Sequence, residues 1–166
     1  MVGKMNGKQN ILQRFVLRIA MMRPVTSFFS KKIHRIDNKV LKLTKGKHTL
    51  SEFIGWPVIQ ITTIGAKTGR PYTLPLVGLL DGEEIGLIAS SFGRKHNPGW
   101  YYNLKANPKC RVEWKGSSHE YVAHEAAGEE YEKYWRMAVS YYKGYDLYKI
   151  RAAHRHIPVM ILVLAK

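Results

Sequence analysis

Cysteine is nearly absent from this sequence. Cys110 stands alone, so no disulfide can form within the chain and no cysteine-rich metal site can be built. Such usage points to a reducing, cytoplasmic setting. Acidic residues are also scarce, 12 against 27 lysines and arginines, which leaves a formal net charge of +15. A surplus of this size draws soluble polyanions, nucleic acid or an anionic membrane surface. Nucleic acid ranks low among these, because no nucleic-acid motif accompanies the charge. Long apolar runs are missing as well. Arg14 and Arg18 interrupt the stretch from Ile11 to Met22, so it suits neither a secretory signal nor a transmembrane helix, which takes roughly 20 mostly apolar residues.

Several familiar signatures of catalysis are absent too. Gly65-Ala66-Lys67-Thr68-Gly69-Arg70 has glycines and cations but not the spacing of a Walker A loop, so it reads equally as a charged hairpin turn or as an anion site. There is no Gly-x-Ser-x-Gly elbow, and no Cys-His pair surrounds Cys110, which reads as structural. His154 and His156 are two apart and His119 and His124 five apart, spacings that make no recognisable metal motif, so no metal site is expected.

What is present divides into two parts. Residues 1–45 form a basic, amphipathic, helical extension. In it Val25, Phe29, Ile33, Ile36, Val40 and Leu43 recur every three or four residues, with Lys31, Lys32, Arg35, Lys39 and Lys42 between them. Such a helix either packs its apolar face on the rest of the protein or lies at an anionic lipid surface, and residues 11–45 are the candidate membrane contact. Residues 46–166 form one mainly β domain. Trp56–Ile64, Tyr72–Leu80 and Ile85–Ser90 read as strands, the last two joined at Asp81-Gly82. Gly99–Lys105 reads as a short helix stopped by Asn107-Pro108, and Lys109–Lys115 and His119–Ala126 as a hairpin around Gly116-Ser117-Ser118. Glu129–Tyr142 is an amphipathic helix broken by Gly144, Tyr145–Arg155 a further short helix, and Ile157–Ala165 a final apolar strand. Runs of short strands with inserted helices predict a small antiparallel barrel rather than a doubly wound sheet. Tyr142, Tyr145 and Tyr148 are spaced either to line an aromatic pocket or to pack a core.

One ordered set of segments is more specific. Ile61 to Pro71 (ITTIGAKTGRP), Leu74-Pro75-Leu76, Asp81-Gly82, Ala89-Ser90, Asn97 to Pro108 (NPGWYYNLKANP), Tyr142 to Tyr148 (YKGYDLY) and Ile157-Pro158-Val159 together resemble the deazaflavin-dependent nitroreductase family over residues 36–164. The resemblance implies a split β-barrel, mainly β within the α+β class, related to flavin-binding oxidases. It also implies the coenzyme F(420), a polyanion with a phosphate and a glutamyl tail, with FMN as the alternative, and a homodimer by family analogy.

By that resemblance Ala66, Lys67 and Thr68 would meet the coenzyme's anionic part, while Thr73, Leu74, Pro75, Leu76 and Val77 would follow its ring and linker. Ala89, Ser90 and Ser91 would lie beside the deazaflavin, and Trp100, Tyr101 and Asn103 would complete the pocket. Ser90 or Tyr145 would bind or polarise the acceptor, with Tyr142 and Tyr148 as an aromatic wall. Hydride would pass from the reduced coenzyme to a lipophilic acceptor such as a quinone or nitroaromatic compound. The alternatives are a non-catalytic carrier of deazaflavin, flavin or tetrapyrrole, and an FMN-dependent reductase of the same fold. Four positions depart from the family's habit: Ala66 replaces a basic residue, Val77 an aromatic, Ser91 a lysine and Phe92 a glycine.

Overall fold

The computed structural model describes residues 56–165. The amphipathic helices expected over residues 11–45 lie outside them. Seven antiparallel strands form one sheet: β1 (Val58–Ile64), β2 (Pro71–Val77), β3 (Leu79–Asp81), β4 (Glu84–Ile88), β5 (Lys109–Trp114), β6 (Ser117–Glu125) and β7 (Val159–Leu164). Three helices are interleaved, α1 (Gly99–Ala106), α2 (Gly128–Tyr141) and α3 (Gly144–Arg151), together with a 3-10 turn at Ser91–Gly93. The antiparallel, helix-bearing barrel expected from the sequence is the architecture observed.

The order across the sheet is β2-β1-β5-β6-β7-β4-β3, which puts β2 and β3 at opposite edges. Along the chain only Gly78 separates them. A sheet whose two edges are joined by one residue must curl until those edges come together, which makes it a split barrel. Gly78 N–H donates to Pro57 O at 2.9 Å. A Cβ there would sit 3.0 Å from Ile85 Cγ2 and 3.2 Å from Ile59 Cγ2, so side chains of β1 and β4 crowd the corner. The single strand expected over Tyr72–Leu80 is therefore two strands with different partners, β1 for the first part and β4 for the second.

The hairpin turns follow local chemistry. Asp81 pairs with Glu84 across Gly82-Glu83, with Gly82 at φ 63°. Lys115 and Gly116, at φ 49° and 80°, make a two-residue turn of the primed kind between β5 and β6. That turn sits slightly earlier than the sequence suggested, and Ser117 and Ser118 belong to β6.

Two cores share β7. Val159 and Ile161 face a cluster built with Tyr131, Tyr134, Trp135 and Ala138 of α2, whereas Met160 and Leu162 face the barrel interior with Ile59, Ile61, Leu87, Trp100 and Leu104. Burial on both faces explains why this strand reads as a continuous apolar run rather than an alternating one. Cys110 lies in the barrel interior, where burial pushes its thiol up to about 12, in keeping with a structural role. Tyr134, fully buried, lays its ring on Gly86 of β4 and donates its hydroxyl to Glu84 Oε2 at 2.8 Å.

A methyl group at Gly86 would strike the Tyr134 ring, so Gly86→Ala should lower stability by about 1–3 kcal/mol in urea unfolding. Gly99→Ala, where no atom lies within 4 Å of an added Cβ, should leave the midpoint nearly unchanged. Equal effects from the two would rule out this packing.

Candidate functional site

The curl of the sheet opens a cleft of about 890 Å³, within the range of small-molecule and cofactor sites. One wall is β2, from Tyr72 to Val77, with the turn Gly65–Thr68 at its end. Opposite lie Leu87 and Ile88 of β4, the Ser90–Phe92 segment and the tyrosines 142, 145 and 148. Trp100 and Asn103, one helical turn apart on α1, close one side, and Trp56, just ahead of β1, lines another part. Lys67 and Arg94 bring positive charge, and among the described residues no carboxylate lines the cleft.

The turn at the cleft's cationic end is fixed from α1. Asn103 Oδ1 accepts the Ala66 N–H at 3.0 Å, and Asn103 Nδ2 donates to the fully buried Thr63 hydroxyl at 3.1 Å. Asn107 Nδ2 reaches Ile64 O at 3.3 Å. Within the turn, Gly65 N–H donates to Arg70 O and Gly69 N–H to Gly65 O, and the Thr68 and Tyr72 hydroxyls meet at 3.1 Å. The Ala66 amide is thus already engaged. An anion at this end would rely on Lys67, Thr68 and the remaining backbone donors.

The opposite wall is aromatic. Tyr142, Tyr145 and Tyr148 pack edge to face or tilted, with ring centroids 5.8–6.0 Å apart, and Trp56 tilts on Tyr142 at 5.2 Å. Burial raises the pKa of all three tyrosines. The hydroxyls are therefore neutral donors at neutral pH. Among the described residues no hydrogen bond engages that of Tyr145. The Trp56 indole N–H is likewise buried without a partner there. Unmet donors in an apolar cleft with a cationic rim fit a planar ligand that carries oxygens and a negative charge.

Between these walls the backbone is strained. Ser91 (φ 47°) and Phe92 (φ 58°) are consecutive non-glycine residues in the left-handed region, a conformation that costs about 1–2 kcal/mol per residue. Glycine would take this conformation without that cost. The phenylalanine here sets its ring edge-on to Tyr148 at 5.9 Å.

Fifteen of the residues expected at a site do line this cleft: Ala66, Lys67, Thr68, Thr73 to Val77, Ser90, Ser91, Trp100, Asn103 and the three tyrosines. Two do not. Ala89 is fully buried and donates its N–H to Pro158 O. Tyr101 turns away because one residue along a helix rotates the side chain by about 100°, and its hydroxyl donates to Glu125 Oε2 at 3.1 Å. Trp56, Tyr72 and Tyr102 line the cleft without having been expected there. Trp56 and Tyr72 lie at strand ends, and their spacing alone gave no sign of a shared cavity.

A model of the F(420)H(2)-dependent quinone reductase family matches residues 33–164. An F(420)H(2)-dependent quinone reductase of Mycobacterium tuberculosis is 43% identical over 56 residues, which is 34% of this chain and 38% of that relative. The chain thus spans little more than a third of the curated relative's length. The solved structure of FDR-A, a reductase dependent on reduced F(420), is 36% identical with a TM-score of 0.59, covering 64% of this chain and 93% of that one. Another, described as a domain-swapped dimer, is 34% identical with a TM-score of 0.61, covering 75% and 92%.

Replacing Asn103 would leave the buried Thr63 hydroxyl and the Ala66 amide without their partner. Asn103→Ala should cost about 1–3 kcal/mol in urea unfolding and speed amide exchange at Ala66. Unchanged exchange there would exclude Asn103 as the anchor of the turn.

Proposed function

Since the chain belongs to the F(420)H(2)-dependent quinone reductase family, we propose that it passes hydride from reduced F(420) to a quinone or a related lipophilic acceptor such as a nitroaromatic. The observation that carries this reading is a cleft with cations at its rim, no carboxylate among the described residues of its lining and a wall of neutral tyrosine hydroxyls. The carrier and FMN alternatives gain no support from the family, whose named coenzyme is F(420).

In this reading Lys67, Thr68 and the turn after β1 hold the coenzyme's anionic end, with Arg94 adding charge nearby. Thr73, Leu74, Pro75, Leu76 and Val77 lie along its ring and linker, and Ser90, Ser91 and Trp100 bound the ring on other sides. When bound, the reduced deazaflavin supplies the hydride. Tyr142 and Tyr148, their rings tilted against each other, form the aromatic wall against which the acceptor rests. The Tyr145 hydroxyl, protonated because burial disfavours its anion, donates to the acceptor's oxygen and polarises it toward hydride attack. The apolar lining excludes water from the transfer path. Ala89 and Tyr101 act from outside the cleft, through β4 and Glu125.

The partners proposed are the coenzyme, the acceptor and a second copy of the chain, the last supported by the dimeric solved relative. No helix among the described residues is long and apolar enough to cross a membrane. Residues 1–45 are proposed as a basic extension that brings the barrel, residues 46–166, to the inner membrane surface, where quinones partition. The protein would then be cytoplasmic and peripheral.

Titration of the full-length protein with reduced F(420), NADPH and FMN, and then with menadione, tests the chemistry. Selective binding of F(420) and its reoxidation are expected, whereas preference for FMN, or binding without reoxidation, would overturn the reading. Tyr145→Phe should lower kcat/KM for the quinone about tenfold to a hundredfold and spare coenzyme affinity. Co-sedimentation with phosphatidylglycerol vesicles, weak with phosphatidylcholine and lost on deleting residues 1–45, is the result expected of the membrane contact. Equal sedimentation of the truncated protein would remove that role.

A further inference from the structure

Arg155, in the turn between α3 and β7, does not line the cleft, yet it is the most heavily bonded side chain behind it. Its Nε donates to Arg94 O at 2.9 Å. Nη1 donates to Asn97 Oδ1 and, at 3.0 Å, to His156 O. Nη2 donates to Ser90 O at 2.8 Å and to Ala89 O at 3.5 Å. A guanidinium has five N–H groups, and here each has an acceptor. Four of the acceptors belong to one stretch of chain, from Ala89 to Asn97, which lies about sixty residues before Arg155.

Every one of these partners is neutral. No ion pair joins Arg155 to a carboxylate among the described residues, and burial lowers its pKa. A partly buried cation with no anion beside it among the described residues relies on these oxygens to offset its lost hydration. The stretch it holds contains the left-handed pair Ser91 and Phe92. Gly93 packs against Arg151 Cβ and Tyr148 O on the other side. Without a clamp, a loop with two strained residues would relax toward ordinary backbone angles and withdraw Ser90, Ser91 and Phe92 from the cleft wall.

We propose that Arg155 is a positioning residue of the cleft, whose planar fork fastens Ala89–Asn97 in the shape that presents Ser90, Ser91 and Phe92 to the bound coenzyme. The coenzyme's identity rests on the function proposed above, whereas the fastening does not depend on it. Lysine keeps the charge but lacks the fork, so Arg155→Lys separates geometry from electrostatics. Asn97→Ala removes one acceptor and leaves the arginine in place.

The test has two arms on the full-length protein. In the first, amide hydrogen exchange is measured without ligand. Arg155→Lys should speed exchange at Gly93 and Arg94, whose N–H groups bond back to Ser90 and Ser91, by about tenfold or more, and Asn97→Ala by less, while the amides of α2 keep wild-type rates. In the second, F(420) affinity is measured by fluorescence titration and should weaken about tenfold in Arg155→Lys, with partial recovery of Arg155→Ala in millimolar guanidinium. Wild-type exchange in both variants, or acceleration spread evenly over the barrel, would overturn the proposal, as would unaltered coenzyme affinity in a variant whose loop exchanges faster. If wild-type protein fails to bind F(420) while the loop still loosens in the variants, the coenzyme reading falls and the clamp stands.

Discussion

The joining of the two sheet edges at Gly78 dictates the shape of the whole barrel. A chain that leaves one edge and begins the other within a single residue cannot lie in a flat sheet, so the seven strands curl. Curling brings β2 opposite the end of β4, and the space between them becomes the cleft. The corner leaves little room for a side chain because Ile59 and Ile85 converge on it. Hydrophobic packing inside the barrel and the position of the cleft's wall are thus consequences of one local constraint. The helices α2 and α3 cover the other side, with Tyr134 filling the space above Gly86 and the three later tyrosines carrying that packed surface on into the cleft.

Charge is sorted within this frame. Of the twelve acidic residues, five (Glu84, Glu125, Glu129, Glu130 and Glu132) border a separate depression beside α2, where Lys133, Arg136 and Lys149 accompany them. Among the described residues the aromatic cleft has lysine and arginine but no carboxylate in its lining. The cleft's own charge depends on these nearby groups more than on the overall positive surplus, since charges farther away than about 8–10 Å are largely screened at physiological salt.

Much of the fold was legible because it rests on local chemistry. The hairpin at Asp81-Gly82 and the helix stopped near Asn107-Pro108 are written in turn chemistry, glycine because it admits the positive φ of 63° seen at Gly82 and proline because its ring fixes φ and removes an N–H. The expected break near Gly144 falls just before it, at Tyr142-Lys143, and Gly144 opens α3. The change of partner at Gly78 was not legible, because Tyr72 to Leu80 remains extended throughout and pairing is a long-range property. The segments that build the cleft could be named from their resemblance to a family, but not every side chain within them could be aimed. Tyr101 belongs to the right helix and faces Glu125 instead. Arg155 gave no sign at all, since its acceptors, apart from His156 O, come from a distant loop and four of the five are backbone carbonyls, which any sequence provides.

The prolines of β2 have a further effect. Pro71 and Pro75 pair with Ile64 and Gln60 of β1 while β2 forms one edge of the sheet. An edge strand is a template for another strand, and proline lacks the N–H that such templating needs. Here Pro75, which lines the cleft, stiffens that wall, and together with Pro71 it blunts the edge of the sheet. The protein can keep a long, partly apolar strand beside an open cavity and still resist indefinite strand-by-strand growth into aggregates.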